Sequence, residues 1–290
     1  MTIPTKKLKS GFQIPVLGLG TWKMGGAKER DYQYQNEDKD IAAIREAYKS
    51  GITRFDTAES YAEGYSEEIL GKGLKIFPRE KLFVTSKVSA WNLQYDNILK
   101  SLENSLTRLQ TDYLDLYLLH GPSLEVPIIE SLKALDRVKS EGLVRNIGVC
   151  NFNVERFQQA QENTNNKLVL NQVHYNLIFR EPVLKGVLDY CQNNDVLLEA
   201  WRPIQQGNLA KSGYIILDKL CNKYHKTPAQ VAVNWLISQK NVVTLFKTSD
   251  PRHLVEIMGS LGWQLELEDI EDLKDNFPCQ LDRSNAVQLI

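Results

Sequence analysis

Asp56, Lys87 and His120 each close a short apolar run in this 290-residue chain, and Tyr61 lies five residues beyond Asp56. Burying unpaired charge is expensive, so an acid and a base at successive run ends point to a partly buried Asp56–Lys87 ion pair. A phenol titrates near about 10 when unperturbed. To work as an acid at neutral pH, Tyr61 needs a cation that stabilises its phenolate, and Lys87 is placed to be that cation. With His120 hydrogen-bonding a substrate oxygen while Tyr61 gives that oxygen a proton, the set suits carbonyl reduction by general acid catalysis. Taken one at a time, the residues read better as a helix cap, a snorkelling lysine and a histidine under a loop. Their recurrence on consecutive runs favours a site.

The pattern continues along the chain. Later apolar runs end in Cys150 and Asn151, in Asn171 and Gln172, in Trp201 and in Lys247. The runs are Val16–Leu19, Ile52–Phe55, Leu82–Val84, Leu114–Leu119, Val144–Val149, Val169–Val173, Val196–Leu198 and Val242–Leu245. Between them lie stretches of helical period, such as Ile98, Leu102, Leu106 and Leu109. Helix starts are signalled at Thr227-Pro228, at Ser249-Asp250-Pro251 and at Pro127. Eight buried strands alternating with helices fit a closed barrel or a doubly wound sheet. The second wants a G-x-G-x-x-G turn after the first strand, and the chain there, from Gly18 to Met24, lacks the third glycine. The expectation is therefore one α/β domain over residues 1–290, a (β/α)8 TIM barrel whose strand ends face one mouth. Residues beyond the basic barrel have expected places: a surface loop over Ala27–Lys39, an extra helix near Gly213–Lys223, and a terminal helix near Leu267–Phe277.

Composition narrows the partners. With 42% hydrophobic and 24% charged residues the chain is an ordinary globular one, not a disordered one. Its 35 basic and 36 acidic side chains leave a net charge of −1, which offers no footprint for nucleic acid or an anionic membrane. No uncharged apolar run approaches the roughly 20 residues of a membrane span, and the first residues lack a signal-peptide core, so a cytoplasmic protein is expected. The scattered cysteines (Cys150, Cys191, Cys221, Cys279) and histidines show no metal spacing, and no metal is expected. The expected partner is a small-molecule carbonyl substrate, and the working expectation is a monomer.

At these residues the chain resembles the aldo-keto reductase family. FDTAESY, with Asp56 and Tyr61, is similar to the family's D-T-A-x-x-Y segment; TSKV carries Lys87; DLYLLHGP carries His120. The resemblance implies a barrel closed at the bottom by an N-terminal β-hairpin, here Lys6–Leu8 turning to Gln13–Pro15. It also implies a nicotinamide cofactor bound without a Rossmann fold, held by GVCNF (Cys150, Asn151), by Gln172 after Asn171, and by Trp201 stacked on the nicotinamide. Trp91 is implied at the substrate pocket, with packing in the core as the alternative. Two departures stand out. Cys150 replaces the family's serine, and Arg202 follows Trp201 where a serine is usual, an arginine that either pairs with phosphate in the serine's stead or turns to solvent. Near the eighth strand Lys247, Thr248 and Glu256 keep register with the family's adenosine phosphate grip, while His253 takes an arginine's place and Arg252 lies one residue early. The implied cofactor is NADPH in preference to NADH. Two rival readings remain at this stage: a nicotinamide-binding regulatory or interaction protein with slow reductase activity, and a Schiff-base enzyme built on Lys87.

Overall fold

A computed structural model describes residues 2–290. Strands β1 (Thr5–Lys7) and β2 (Gln13–Pro15) form an antiparallel hairpin in which Lys6 faces Ile14. Its apolar residues Leu8, Phe12 and Ile14 plug the bottom of the barrel against Leu116, Leu118, Leu170, Leu197 and Val243. The Lys6 ammonium caps the plug, donating to the backbone oxygens of Gln239 and of Val242, the latter at 2.6 Å.

Eight parallel strands close the barrel in chain order: β3 (Leu17–Gly20), β4 (Arg54–Asp56), β5 (Phe83–Val88), β6 (Leu116–Leu119), β7 (Ile147–Cys150), β8 (Leu168–His174), β9 (Leu197–Trp201) and β10 (Val242–Phe246), which pairs with β3. All eight expected strands are present, displaced at their ends by up to four residues. Around them run α1 (Glu37–Lys49), α2 (Tyr65–Leu74), α3 (Tyr95–Leu109), α4 (Ile128–Ser140), α5 (Val154–Glu162), the short α6 (Glu181–Leu184) with α7 (Val187–Asn193), then α8 (Ile215–Tyr224), α9 (Pro228–Ser238), α10 (Pro251–Met258) and α11 (Leu267–Asn276). The extra helices expected near residues 213–223 and 267–277 are α8 and α11. Thr227 starts α9 with a reciprocal capping box to Gln230, and Asp250 caps α10. Pro127 precedes α4 as its cap residue rather than entering the first turn.

The start of α1 also differs from the sequence reading. The polar stretch after β3 stays a loop only to Asn36, and α1 begins at Glu37 inside it. The reason is electrostatic. Glu37, Asp38 and Asp40 fill the first turn, where carboxylates favour the positive end of the helix dipole, before the first apolar residue Ile41 appears.

Side chains two apart on a strand share a face. On the inward face this places Arg54 and Asp56 on β4, Lys87 on β5, Cys150 on β7, Gln172 and His174 on β8, and Glu199 on β9. The barrel is thus apolar at its base and polar toward its mouth.

Candidate active site

The mouth gathers the four residues singled out first. Lys87 has no exposed surface and Asp56 only 3%. The Lys87 ammonium lies 2.5 Å from Asp56 Oδ1, 2.8 Å from the Thr57 carbonyl and 3.3 Å from the Tyr61 hydroxyl. Tyr61 reaches back because the chain folds over β4 in a single tight turn, Tyr61–Gly64. There Ala62 and Glu63 adopt left-handed backbone with φ of 49° and 53°. Non-glycine residues hold that conformation only when the surroundings enforce it. The Tyr61 ring stands edge-on to His120 at 5.6 Å and to Trp22 at 5.0 Å between centroids.

Burial pushes the Tyr61 phenol up to about 12, and the nearby Lys87 charge only partly offsets it. The lowering expected from the lysine is therefore outweighed here, and the phenol keeps its proton at neutral pH. For Lys87, burial opposes the charge, yet Asp56 beside it holds the ammonium above its usual range. A lysine so tightly paired offers no free amine at rest, which weighs against the Schiff-base reading. Burial, aided by Lys87, pushes His120 down to about 3, so it is neutral. Its Nδ1 lies 3.2 Å from the Ser60 hydroxyl.

Beside this group two buried amide oxygens lack a strong donor. Asn151 Oδ1 has no hydrogen-bond partner, while its Nδ2 reaches the His120 carbonyl at 3.4 Å. Gln172 donates through Nε2 to Asp56 at 3.0 Å and to Glu199 at 2.7 Å, and its Oε1 faces only the Cys150 thiol at 3.9 Å. Buried acceptors of this kind call for a ligand donor, and a carboxamide NH2 fits both. Trp201 stacks at 4.2 Å on His174, which stacks at 4.3 Å on Phe179. A flat, partly exposed ring backed by two others suits a planar heterocycle. The donor set and the ring fit a nicotinamide head.

Other residues lie differently from a simple ligand contact. Asn171 spends its amide on the Phe152 backbone and so shapes the loop leaving β7. Cys150 is buried among the barrel's apolar residues beneath Gln172, and burial pushes its thiol well up. Arg202 follows β9 in left-handed backbone, φ 56°, and the Gln206 amide, in the orientation that satisfies both groups, accepts from its guanidinium at 3.0 Å. Lys247 is exposed and donates to the Ser249 hydroxyl at 3.1 Å; the Thr248 hydroxyl accepts from the Asp250 N–H at 3.0 Å. Arg252 turns back on Asp250 at 2.7 Å with its side chain 87% exposed, His253 is exposed, and Glu256 is half-buried. Lys247, four residues before α10, has no carboxylate within ion-pair distance among the described residues. Trp91 stands on the rim, 71% exposed, which removes core packing as its role.

Sequence reasoning missed Ser60, Trp22, His174 and the Arg54–Glu199 pair. The last carried a usable signal, opposite charges set inside two apolar strand runs. Among the described residues no cluster of side chains could hold a metal ion, and no helix is long and apolar enough to cross a membrane.

Comparison with known proteins shows the family and the fold. The family model described as "Aldo/keto reductase family" matches residues 16–276. A glyoxal reductase of Bacillus subtilis is 33% identical over 93% of this chain and 91% of its own length. A methylglyoxal reductase of Escherichia coli O157:H7 is 32% identical over 92% and 91%. Among solved structures, a thermostable aldo-keto reductase in complex with the inhibitor epalrestat superposes with a TM-score of 0.90 at 38% identity, covering 93% of this chain and 98% of that one. An aldo/keto reductase from Klebsiella pneumoniae in complex with NADP and acetate gives 0.84 at 30% identity, covering all of both chains.

Proposed function

The chain belongs to the aldo/keto reductase family, and from that premise we propose that it reduces an aldehyde or ketone to an alcohol with NADPH, Tyr61 acting as general acid. The observation that carries the proposal is the buried chain Asp56–Lys87–Tyr61 with a neutral histidine beside it. When bound, NADPH supplies the hydride that adds to the carbonyl carbon. Tyr61, protonated at neutral pH, gives its proton to the carbonyl oxygen, and Lys87 at 3.3 Å stabilises the phenolate left behind. Asp56 keeps Lys87 charged and in place. His120 polarises the carbonyl: with the Ser60 hydroxyl donating to Nδ1, Nε2–H donates to the substrate oxygen. Hydride and proton together make the alcohol, and the phenolate regains its proton from solvent.

For the cofactor, Asn151 and Gln172 accept from the carboxamide and Trp201 supports the ring. Arg202 pairs with the pyrophosphate, a charge-assisted contact that Gln206 orients. Lys247 with Thr248 takes the adenosine phosphate. Arg252 and His253 add to this only from the surface, Arg252 after leaving Asp250, so Lys247 carries most of the preference for NADPH over NADH. Cys150 acts from beneath, through Gln172. Glu256 flanks the adenosine end and Trp91 borders the substrate.

The names of the relatives make methylglyoxal the substrate to assay first. Sustained loss of nicotinamide absorbance with NADPH and methylglyoxal, or another aldehyde of a small panel, is the expected result. NADPH binding with no turnover across the panel would overturn the reading in favour of a regulatory, nicotinamide-sensing protein.

A further inference from the structure

Behind the proposed tetrad a second buried ion pair crosses the barrel. Arg54 and Glu199 are almost wholly buried, and the Arg54 guanidinium lies 2.6 Å from Glu199 Oε1. Arg54 also donates to the Thr244 carbonyl at 2.6 Å and the Pro15 carbonyl at 2.9 Å. Room for it comes from Gly18 on the adjacent strand, where a Cβ would sit 2.3 Å from Arg54 Nε. Glu199 has a second task. Its Oε2 accepts from Gln172 Nε2 at 2.7 Å, and the same nitrogen donates at 3.0 Å to Asp56 Oδ2. One continuous polar line therefore runs Arg54, Glu199, Gln172, Asp56, Lys87, Tyr61.

We propose that Glu199, held by Arg54, is a positioning residue that fixes the Gln172 amide and balances the charge behind the tetrad. The inference rests on the reductase reading above. The chemistry is specific. An amide can present either its oxygen or its nitrogen to a neighbour, and only acceptors can face the nitrogen. Two carboxylates, Asp56 and Glu199, clasp Nε2 from both sides, so Oε1 is the atom left for the cofactor's carboxamide. Charge balances along the same line, with Arg54 and Lys87 positive against Glu199 and Asp56. Replacing Glu199 by a neutral residue leaves the line one unit positive. That favours the Tyr61 phenolate and brings forward the pH at which the acid form is lost.

Removing one partner of a buried pair is strongly destabilising, whereas replacing both by residues of similar volume is often tolerated. The test therefore compares two double variants, Arg54→Met/Glu199→Gln, which keeps an acceptor for Gln172, and Arg54→Met/Glu199→Leu, which removes it. NADPH affinity is read by intrinsic fluorescence and kcat/KM by carbonyl-dependent NADPH oxidation, with the unsubstituted protein as reference. The expected result is NADPH binding about tenfold weaker in the Leu variant than in the Gln variant, the scale of one lost buried hydrogen bond. The single variant Glu199→Gln, where it folds, loses kcat/KM at a pH about one unit lower than the reference, the scale of removing one buried charge further along the same line at an effective dielectric of about 20. Restoring neutrality with Arg54→Met moves the limb back. Equal affinity in the two double variants, or a pH limb that does not move in a folded Glu199→Gln protein, overturns the inference. Failure of the reference protein itself to bind NADPH or turn over would instead overturn the reductase reading.

Discussion

Replacing Lys87 by methionine removes the one charge that can stabilise a Tyr61 phenolate while keeping the shape of the site. At the observed separation of 3.3 Å, two unit charges interact by about 5 kcal/mol at an effective dielectric of about 20. The phenolate is only partly formed when the proton is in flight. With about half the charge developed, the loss is about 2.5 kcal/mol, or on the order of 100-fold in kcat. The fold suffers as well, because Asp56 loses its 2.5 Å partner and an uncompensated buried charge costs about 3–5 kcal/mol unless the carboxyl takes up a proton. The assay is kcat against pH with saturating NADPH and a reducible aldehyde, on protein shown by circular dichroism to be folded and by fluorescence to bind NADPH. A kcat within roughly threefold of the unsubstituted enzyme under those conditions would refute the role given to Lys87.

Three further outcomes follow from the same geometry. Gly18→Ala drives a methyl to 2.3 Å from Arg54 Nε and lowers thermal stability by about 1–3 kcal/mol or more; an unchanged melting temperature would show that Arg54 moves aside freely. Lys247→Ala weakens NADPH binding by about tenfold and leaves NADH binding nearly unchanged, whereas Arg252→Ala has a smaller effect because Asp250 already holds that guanidinium; titrating each variant with both cofactors checks this. His120 and His174 are held by burial at about 3 and about 4, below the usual histidine value, so the folded state binds fewer protons than the unfolded chain. Their contribution to stability is present above about pH 6.5 and is lost as pH falls through the window down to about 3–4; denaturant unfolding between pH 7 and 5 would show a flat profile if both rings were solvated.

The division between what the sequence showed and what it hid has physical reasons. Asp56, Lys87 and His120 were legible because each is a polar residue ending a buried run, where a parallel barrel must expose its chemistry. The strand count was legible for the same reason, since eight apolar runs leave few other folds. Arg54 and Glu199 hid inside such runs, in TRFD and LLEAW, because periodicity treats an isolated charge in a strand as noise until a partner across the barrel is seen. Ser60 and Trp22 sit on loops, where no pattern says which side chain turns inward. The partner of Arg252 depends on a side-chain conformation, and Asp250, two residues away, draws its guanidinium aside. The start of α1 escaped because its first turn is stabilised by carboxylates on the helix dipole, with no apolar face yet begun.

The most direct test of the proposed chemistry is Tyr61→Phe, which removes one oxygen and leaves the ring, its edge contacts with His120 and Trp22, and the whole nicotinamide cradle in place. NADPH binding is followed by quenching of intrinsic fluorescence, to which Trp201 contributes, and carbonyl-dependent NADPH oxidation is measured on the same sample. The account predicts cofactor binding close to that of the unsubstituted protein and kcat lower by about 10² to 10⁴. Undiminished turnover by the phenylalanine variant would contradict it.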